Sequence, residues 1–102
     1  MSFRIVIEEQ AYAEMEEGYR WQAQYSPEAA MLWYFDITER IESLENHPFR
    51  CPLAPENDLF PEEIRHLIFE KYRILFTVKD EAIHVLHVWH GRRDYAKPGH
   101  ET

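Results

Sequence analysis

The sequence predicts an α+β domain with the element order βααβββ, in which an antiparallel sheet carries a two-helix hairpin on one face. Three observations lead to this fold class. Apolar and polar residues alternate at the start of the chain and again in the stretch 72–90, as they do in strands. Segments 8–24 and 27–45 repeat apolar residues every three or four positions, as amphipathic helices do. A proline-rich stretch separates the helices from the later strands.

The first strand is predicted over residues 3–7, and the first helix begins at Glu8 or Glu9 and ends near Gln24. The apolar positions of this helix include Ala11, Tyr12, Met15 and Tyr19. On this periodicity we expect the polar positions Glu14, Glu16, Glu17 and Arg20 to lie largely on the solvent side. Gly18 lies inside the helix, where glycine costs roughly 1 kcal/mol relative to alanine.

The second helix has clear start and stop signals. Ser26 is a good N-cap. Pro27 suits the first helical position, because the backbone N–H that proline lacks would have no hydrogen-bond acceptor within the helix at that position. The sequence 46–48, Asn-His-Pro, ends the helix. The predicted buried stripe consists of Ala30, Trp33, Tyr34, Ile37, Ile41 and Leu44.

Four prolines mark residues 46–62 as an ordered but irregular loop. Three strands follow, over residues 64–69, 72–79 and 83–89, and Glu70-Lys71 and Asp80-Glu81 supply the turns between them. We expect one domain over residues 1–95 and a flexible C-terminal tail over 96–102, since the tail has nothing to bury.

Composition excludes several classes of protein. The 102 residues are 45% hydrophobic and 15% aromatic, which is typical of a folded globular domain. No apolar run reaches the roughly 18 to 20 residues of a membrane span, and the N-terminal apolar stretch is too short for a signal peptide. The single cysteine, Cys51, excludes an internal disulfide. We therefore expect a cytoplasmic protein without a membrane partner.

Charge is distributed unevenly along the chain, whose net charge is −8. Residues 1–63 contain 4 Lys or Arg and 14 Asp or Glu, whereas residues 64–102 contain 7 and 5. An acidic protein is repelled by phosphate backbones unless it presents a local basic patch. Direct binding to free nucleic acid is therefore not expected.

Arginines and histidines in the strands are the candidate functional residues. The opposite faces of their strands look like core, so we expect Arg65 and Arg73 to project onto an open face of the sheet. Ion pairing with Glu70, Asp80 or Asp94 is the alternative. On a regular strand His87 points away from His84 and His90, which lie about 20 Å apart, so no shared metal ion and no cofactor are expected.

The last hairpin resembles a known family. "YRI" at residues 72–74 and "HGRRD" at 90–94 are similar to the C-terminal signature of RelE/ParE-type toxins of bacterial type II toxin–antitoxin systems. "IR-L" at residues 64–67 and "SPEAA" at 26–30 extend the resemblance, which is nearer to the ParE or plasmid-stabilisation branch. The resemblance spans about residues 3 to 95, and the family's element order is the predicted one.

The resemblance implies a growth-inhibiting toxin that a cognate antitoxin neutralises. ParE-type members inhibit DNA gyrase, which requires a binding surface and no catalytic set. The residues expected to bind the partner or target are Arg65, Arg73, Arg92 and Arg93.

RelE-type members cleave mRNA on the ribosome, and this enzymatic activity is the first alternative. Arg73 and Arg93 match the arginines that hold the scissile phosphate in that branch, and His90 is a candidate general base because histidine as a residue type titrates near neutral pH. The lysines of that branch are missing from the strand before, and Tyr95 follows Arg93 too closely to match its catalytic tyrosine. A non-toxic member of the fold that serves as a protein-binding module is the second alternative.

Overall fold

The computed structural model describes residues 2–91 and confirms the α+β class and the βααβββ order. The predicted tail at 96–102 lies outside the described residues. Three short 3-10 turns lie between the second helix and the second strand, at Ser43–Glu45, Pro48–Arg50 and Asn57–Leu59. The helices and strands are β1 (Arg4–Ile7), α1 (Glu9–Ala23), α2 (Pro27–Glu42), β2 (Arg65–Phe69), β3 (Tyr72–Lys79) and β4 (Ala82–His90).

The sheet is mixed rather than antiparallel throughout, with the strand order β1-β4-β3-β2. Strands β2, β3 and β4 form the expected antiparallel meander, but β1 pairs parallel to β4, with Arg4 opposite Ala82 and Ile7 opposite Val85. The reason is the path of the helices. Helix α1 continues along β4 beyond the end of β1, and α2 returns the chain to the level where β1 began. Strand β2 therefore runs parallel to β1. Because β3 is antiparallel to β2 and β4 is antiparallel to β3, β4 also runs parallel to β1.

Local signals set the start of α2 and the β3–β4 turn as predicted, whereas α2 ends at Glu42, before the predicted stop at residues 46–48. The Ser26 hydroxyl accepts a hydrogen bond from the Ala29 amide at 3.1 Å, and Pro27 opens α2. The β3–β4 turn places Asp80 and Glu81 at φ 53° and 61°. Two successive positive φ angles characterise the tight hairpin turn whose twist matches that of the flanking strands.

The helix pair covers one face of the sheet, and this interface contains the main core. Its buried side chains come from both helices and from all three antiparallel strands: Ala11, Met15, Trp33, Ile37, Ile41, Phe69, Ile74, Phe76, Ile83, Val85 and Val88, with Leu44 of the first 3-10 turn and the loop residue Cys51. The alternating strand pattern predicted this face because neighbouring residues of a strand point to opposite sides.

The opposite face of the sheet is not open, contrary to expectation. The proline-rich loop 46–64 lies over it, and Ala54, Ile64, Leu75 and Trp89 form a second, smaller core beneath the loop. Backbone hydrogen bonds from the Ala54 amide to the Ile64 carbonyl and from the His66 amide to the Pro52 carbonyl attach the loop to β2.

A β-bulge in β4 changes which histidines share a face. Phe76 pairs with Val85 and Leu75 pairs with His87, so Leu86 is an extra residue on β4. The extra residue reverses the alternation beyond it. His84 and His87 consequently lie on one face and His90 on the other, whereas regular alternation predicted that His84 and His90 share a face.

Neither helix among the described residues has the length and hydropathy that a bilayer crossing would require.

Gly18 is placed where a side chain would collide with the core. A Cβ there would lie 2.9 Å from the Trp33 ring and 3.2 Å from the Tyr72 hydroxyl, and Trp33 is only 5% exposed. We predict that Gly18→Ala lowers the free energy of unfolding by about 1 kcal/mol, because overpacking costs roughly 1 to 3 kcal/mol and exceeds the helix-propensity gain of about 1 kcal/mol. Urea unfolding measures the change, and a stabilised variant would contradict the packing argument.

Candidate functional site

The proposed site residues that the structure describes, Arg65, Arg73 and His90, do not converge on one surface. Arg65 pairs with Phe76 across β2 and β3 and shares its face, the face of the main core. Arg73 lies on the opposite face, beneath the proline-rich loop. His90 pairs with Tyr72 and lies on the main-core face. Arg92 and Arg93 lie outside the described residues.

Arg73 forms a buried ion pair with Glu56 of the loop. Its Nη1 donates to Glu56 Oε1 at 3.0 Å, and its Nη2 donates to Oε2. The side chains are 13% and 1% exposed. This bidentate arrangement is the strongest form of an arginine–carboxylate contact. The Glu56 carboxylate thus binds the guanidinium of Arg73. The family resemblance matches Arg73 to the arginine that holds the phosphate in the RelE branch.

Two further side chains surround this ion pair. The His66 Nδ1 lies 3.5 Å from Arg73 Nη1, and the guanidinium carbon lies 6.0 Å from the centre of the Trp89 ring. Burial lowers the pKa of His66, and the positive charge of Arg73 lowers it further. His66 is therefore neutral near pH 7 and can accept a hydrogen bond from Arg73. Glu56, the centre of this cluster, carries no recognisable signal in the sequence.

Arg65 supports the loop from the other face. Its Nη1 donates to the Cys51 carbonyl at 2.6 Å, and its Nη2 lies 3.3 Å from Glu63 Oε1. Its guanidinium also lies over the Phe49 ring, 5.2 Å from the centre. Neither arginine pairs with Glu70 or Asp80, the predicted partners within the described residues.

Arg73 and His90 are kept apart by the sheet itself. The register places Arg73 opposite Trp89 and Tyr72 opposite His90, and adjacent residues of a strand point to opposite faces. His90 packs edge-to-face on Tyr72, with ring centres 5.2 Å apart. Two of the three residues that the nuclease alternative requires, Arg73 and His90, therefore lie on opposite faces of the sheet, and the third, Arg93, lies outside the described residues.

Glu14 is a further residue whose position the sequence analysis predicted wrongly. It does not face solvent, and its side chain is 13% exposed. Its Oε1 accepts from the Val88 amide at 2.8 Å and its Oε2 from the Trp89 indole at 3.0 Å, while His87 Nδ1 lies 3.2 Å from Oε2. The signal was available, since position 14 falls between Ala11 and Gly18 on the buried stripe of α1.

The contacts of Glu14 determine its titration. Burial raises the pKa of Glu14, but hydrogen bonds from His87, from the Val88 amide and from Gln10 lower it by more. The net pKa lies below the ordinary value of 4.5. The carboxylate is ionised near neutral pH and attaches α1 to the half of β4 that β1 does not reach.

A cleft of about 680 Å³ lies beside Glu14, between α1 and the end of β4. Trp21, Tyr72 and Trp89 contribute aromatic walls, and Gln10, Glu17 and the two histidines contribute polar groups. Within residues 2–91 no three His, Cys, Asp or Glu side chains are arranged to hold a metal ion. Burial raises the pKa of the Cys51 thiol, which is 4% exposed, so this cysteine is placed as a core residue.

Comparison with solved structures identifies the fold. A chain of the chromosomal ParDE TA system from P. aeruginosa superimposes with a TM-score of 0.72 and 22% sequence identity, covering 87% of this chain and 96% of that one. At this identity the match establishes a shared fold, the small α+β domain found in that toxin–antitoxin system. A search of curated proteins gives no match.

The family follows from the sequence profile of the "ParE toxin of type II toxin-antitoxin system, parDE", which matches residues 5–95. The chain belongs to the ParE toxin family. The family predicted from the hairpin motifs is thus confirmed.

The burial of the Arg73–Glu56 ion pair predicts how substitutions of the two residues change the free energy of unfolding. Removing one partner of a buried ion pair costs about 3 to 5 kcal/mol, whereas replacing both by apolar residues is often close to neutral. We expect Arg73→Met to lower the free energy of unfolding by about 3 kcal/mol, and Arg73→Met with Glu56→Leu to recover most of the loss. Urea unfolding measures both, with Arg20→Met as the control. The Arg20–Glu16 pair is exposed and 3.9 Å long, so its loss should cost less than about 1 kcal/mol.

The lowered pKa of Glu14 predicts a loss of stability in acid. A carboxyl whose pKa is lower in the folded than in the unfolded chain stabilises the fold above the unfolded pKa, near 4.5. This contribution disappears as the pH falls from there through the folded pKa. The stability difference between the wild type and Glu14→Gln should therefore shrink over that range, as measured by urea unfolding at stepped pH. A difference that is constant with pH would contradict the assignment.

Proposed function

We propose that the chain inhibits DNA gyrase by binding it and that a cognate antitoxin neutralises this activity. Membership of the ParE toxin family is the observation that carries the proposal. The action proposed requires a contact surface and no catalytic residues, which suits a chain whose Arg65 and Arg73 are engaged in structural contacts.

The geometry of the sheet favours binding over RNA cleavage. An RNA-cleaving site needs cations and a general base around one phosphate. Here Arg73 is bound to the Glu56 carboxylate, and His90 lies on the other face of the sheet. The acidic composition also disfavours the many phosphate contacts on which binding to ribosomal RNA depends.

The proposed contacts with gyrase involve the end of β4. Arg92 and Arg93 follow directly after Gly91 in the sequence, and they are the target-binding residues that remain proposed from the family signature. Arg65 and Arg73 are proposed to act indirectly, by holding loop 46–64 against the sheet. Each arginine can form charge-assisted hydrogen bonds, which contribute roughly 1.5 to 3 kcal/mol each.

Gyrase inhibition can be tested with purified protein and relaxed plasmid. We expect the wild type to block supercoiling and to arrest growth on induced expression. Arg92→Ala with Arg93→Ala should raise the half-inhibitory concentration by at least about tenfold, the equivalent of about 1.4 kcal/mol.

The matched control for this experiment is Arg20→Ala, which removes a 72% exposed arginine from α1. It should inhibit gyrase as the wild type does. Normal supercoiling together with mRNA cleavage on added ribosomes would favour the nuclease alternative. Expression that leaves growth and supercoiling unaffected would favour a non-toxic binding module.

A further inference from the structure

One face of α1 brings two carboxylates and an indole ring to the cleft beside the end of β4. Gln10, Glu14, Glu17, Gly18 and Trp21 all line this cleft of about 680 Å³. Successive turns of the helix supply them, so they lie on one side of it. A cavity of this volume is within the range of about 300 to 1,000 Å³ that is usual for ligand sites.

The walls of the cleft carry negative charge. Hydrogen bonds keep the pKa of Glu14 below its ordinary value, so its carboxylate is ionised near neutral pH. Its hydrogen-bond partners are three neutral N–H donors and one imidazole: the Gln10 side chain, the Val88 amide, the Trp89 indole and His87. Glu17 lies one turn further along α1 and is exposed. Among the described residues that line the cleft there is no Lys or Arg, so its walls attract a cation.

Aromatic rings supply the remaining contacts of the cleft. Trp21 lines it and is 58% exposed. The face of an aromatic ring attracts a cation that lies within about 6 Å of the ring centre. The molecule uses this contact elsewhere, since the Arg65 guanidinium lies 5.2 Å from the centre of the Phe49 ring. The guanidinium of Arg40 lies at the same distance from the centre of the Phe69 ring.

We propose that this cleft binds an arginine side chain presented by a partner protein. A guanidinium is planar and more weakly hydrated than an ammonium, so it can lie on an aromatic face while it donates to a carboxylate. Glu17 and Trp21 are four positions apart on α1, which places the acceptor and the ring side by side. Gly18 adds no side chain to this part of the wall. The site consists of α1 and β4 side chains and does not include the arginines proposed for gyrase contact.

Other occupants suit the cleft less well. A ligand that carries phosphate would be repelled by the two carboxylates. A lysine holds its hydration water more strongly and has no planar group to stack on a ring. Arg92 and Arg93 of the chain itself follow Gly91 directly in the sequence, and the experiment distinguishes them from an arginine of a partner.

Arginine recognition can be measured with two short peptides and the full-length protein. Both are acetylated Gly-Gly-Xaa-Gly-Gly amides, one with arginine at the central position and one with citrulline, which has nearly the same shape and no charge. NMR titration follows the indole N–H signals of Trp21 and Trp89. We expect the arginine peptide to shift both signals to saturation and the citrulline peptide to bind about tenfold more weakly, because charge provides the main attraction.

Glu17→Gln and Trp21→Leu change the two residues that are proposed to hold the guanidinium. Each should weaken binding of the arginine peptide by about threefold or more, as the loss of one exposed ion pair or cation–π contact does. The Trp89 signal reports binding by the Trp21→Leu variant. Both positions are exposed, so the circular dichroism spectrum should be unchanged.

Glu28→Gln and Phe35→Leu are the matched controls. They remove an exposed carboxylate and a 60% exposed aromatic ring from α2, and neither residue lines the cleft. Both variants should bind the arginine peptide as the wild type does. Equal effects of the controls and the cleft variants would overturn the location of the site, and equal binding of the two peptides would overturn recognition of the charge.

The variant Arg92→Ala with Arg93→Ala identifies the source of the arginine. We expect it to bind the arginine peptide with the affinity of the wild type. Binding that is about tenfold tighter than in the wild type, equivalent to about 1.4 kcal/mol, would overturn a partner as the source, because the chain's own arginines would then compete for the cleft. Absence of saturable shifts in both proteins would overturn the site. None of these outcomes depends on gyrase inhibition, so failure of the proposed function leaves the test intact.

Discussion

The buried ion pair between Arg73 and Glu56 is the constraint on which the position of loop 46–64 and the second core beneath it depend. A carboxylate that is 1% exposed is tolerated only with charge-assisted partners, so the loop must approach the sheet at one position. The second core forms under the loop at that position, and the sheet becomes buried on both faces. An antiparallel meander usually leaves one face solvated. Here a loop without regular strands takes the place of a second layer.

The same ion pair shows that Arg73 has a structural contact that differs from the role implied by the family resemblance. Arg73 stands where the resemblance matches a phosphate-holding arginine, yet its guanidinium binds a carboxylate of its own chain. The fold of the ParE family is retained without bringing Arg73 and His90 to one face. The acidic helix pair also differs in charge from the two arginines that follow β4 in the sequence.

Local chemistry predicted most of the fold, and long-range contacts account for what it missed. Ser26, Pro27 and the turn at Asp80-Glu81 act within a few residues, so their signals are readable from sequence. The parallel pairing of β1 depends on the direction of both helices and has no local signal. One extra residue, Leu86, reversed the alternation by which His84 and His87 were assigned to faces. The position of Glu14 was predicted wrongly because, in the sequence, a buried carboxylate next to the apolar positions of α1 cannot be distinguished from the solvent-exposed acids Glu16 and Glu17.

Glu14 also has a consequence for how this sheet meets other chains. Strand β1 ends at Ile7, opposite Val85, so the remainder of β4 lacks a strand on that side within the described structure. An uncovered strand edge is a template on which another molecule can add its own backbone. The carboxylate that accepts from the Val88 amide occupies one such position. Another strand that paired with this edge would first have to displace a charged, hydrogen-bonded side chain, so the Glu14 carboxylate disfavours such pairing at Val88.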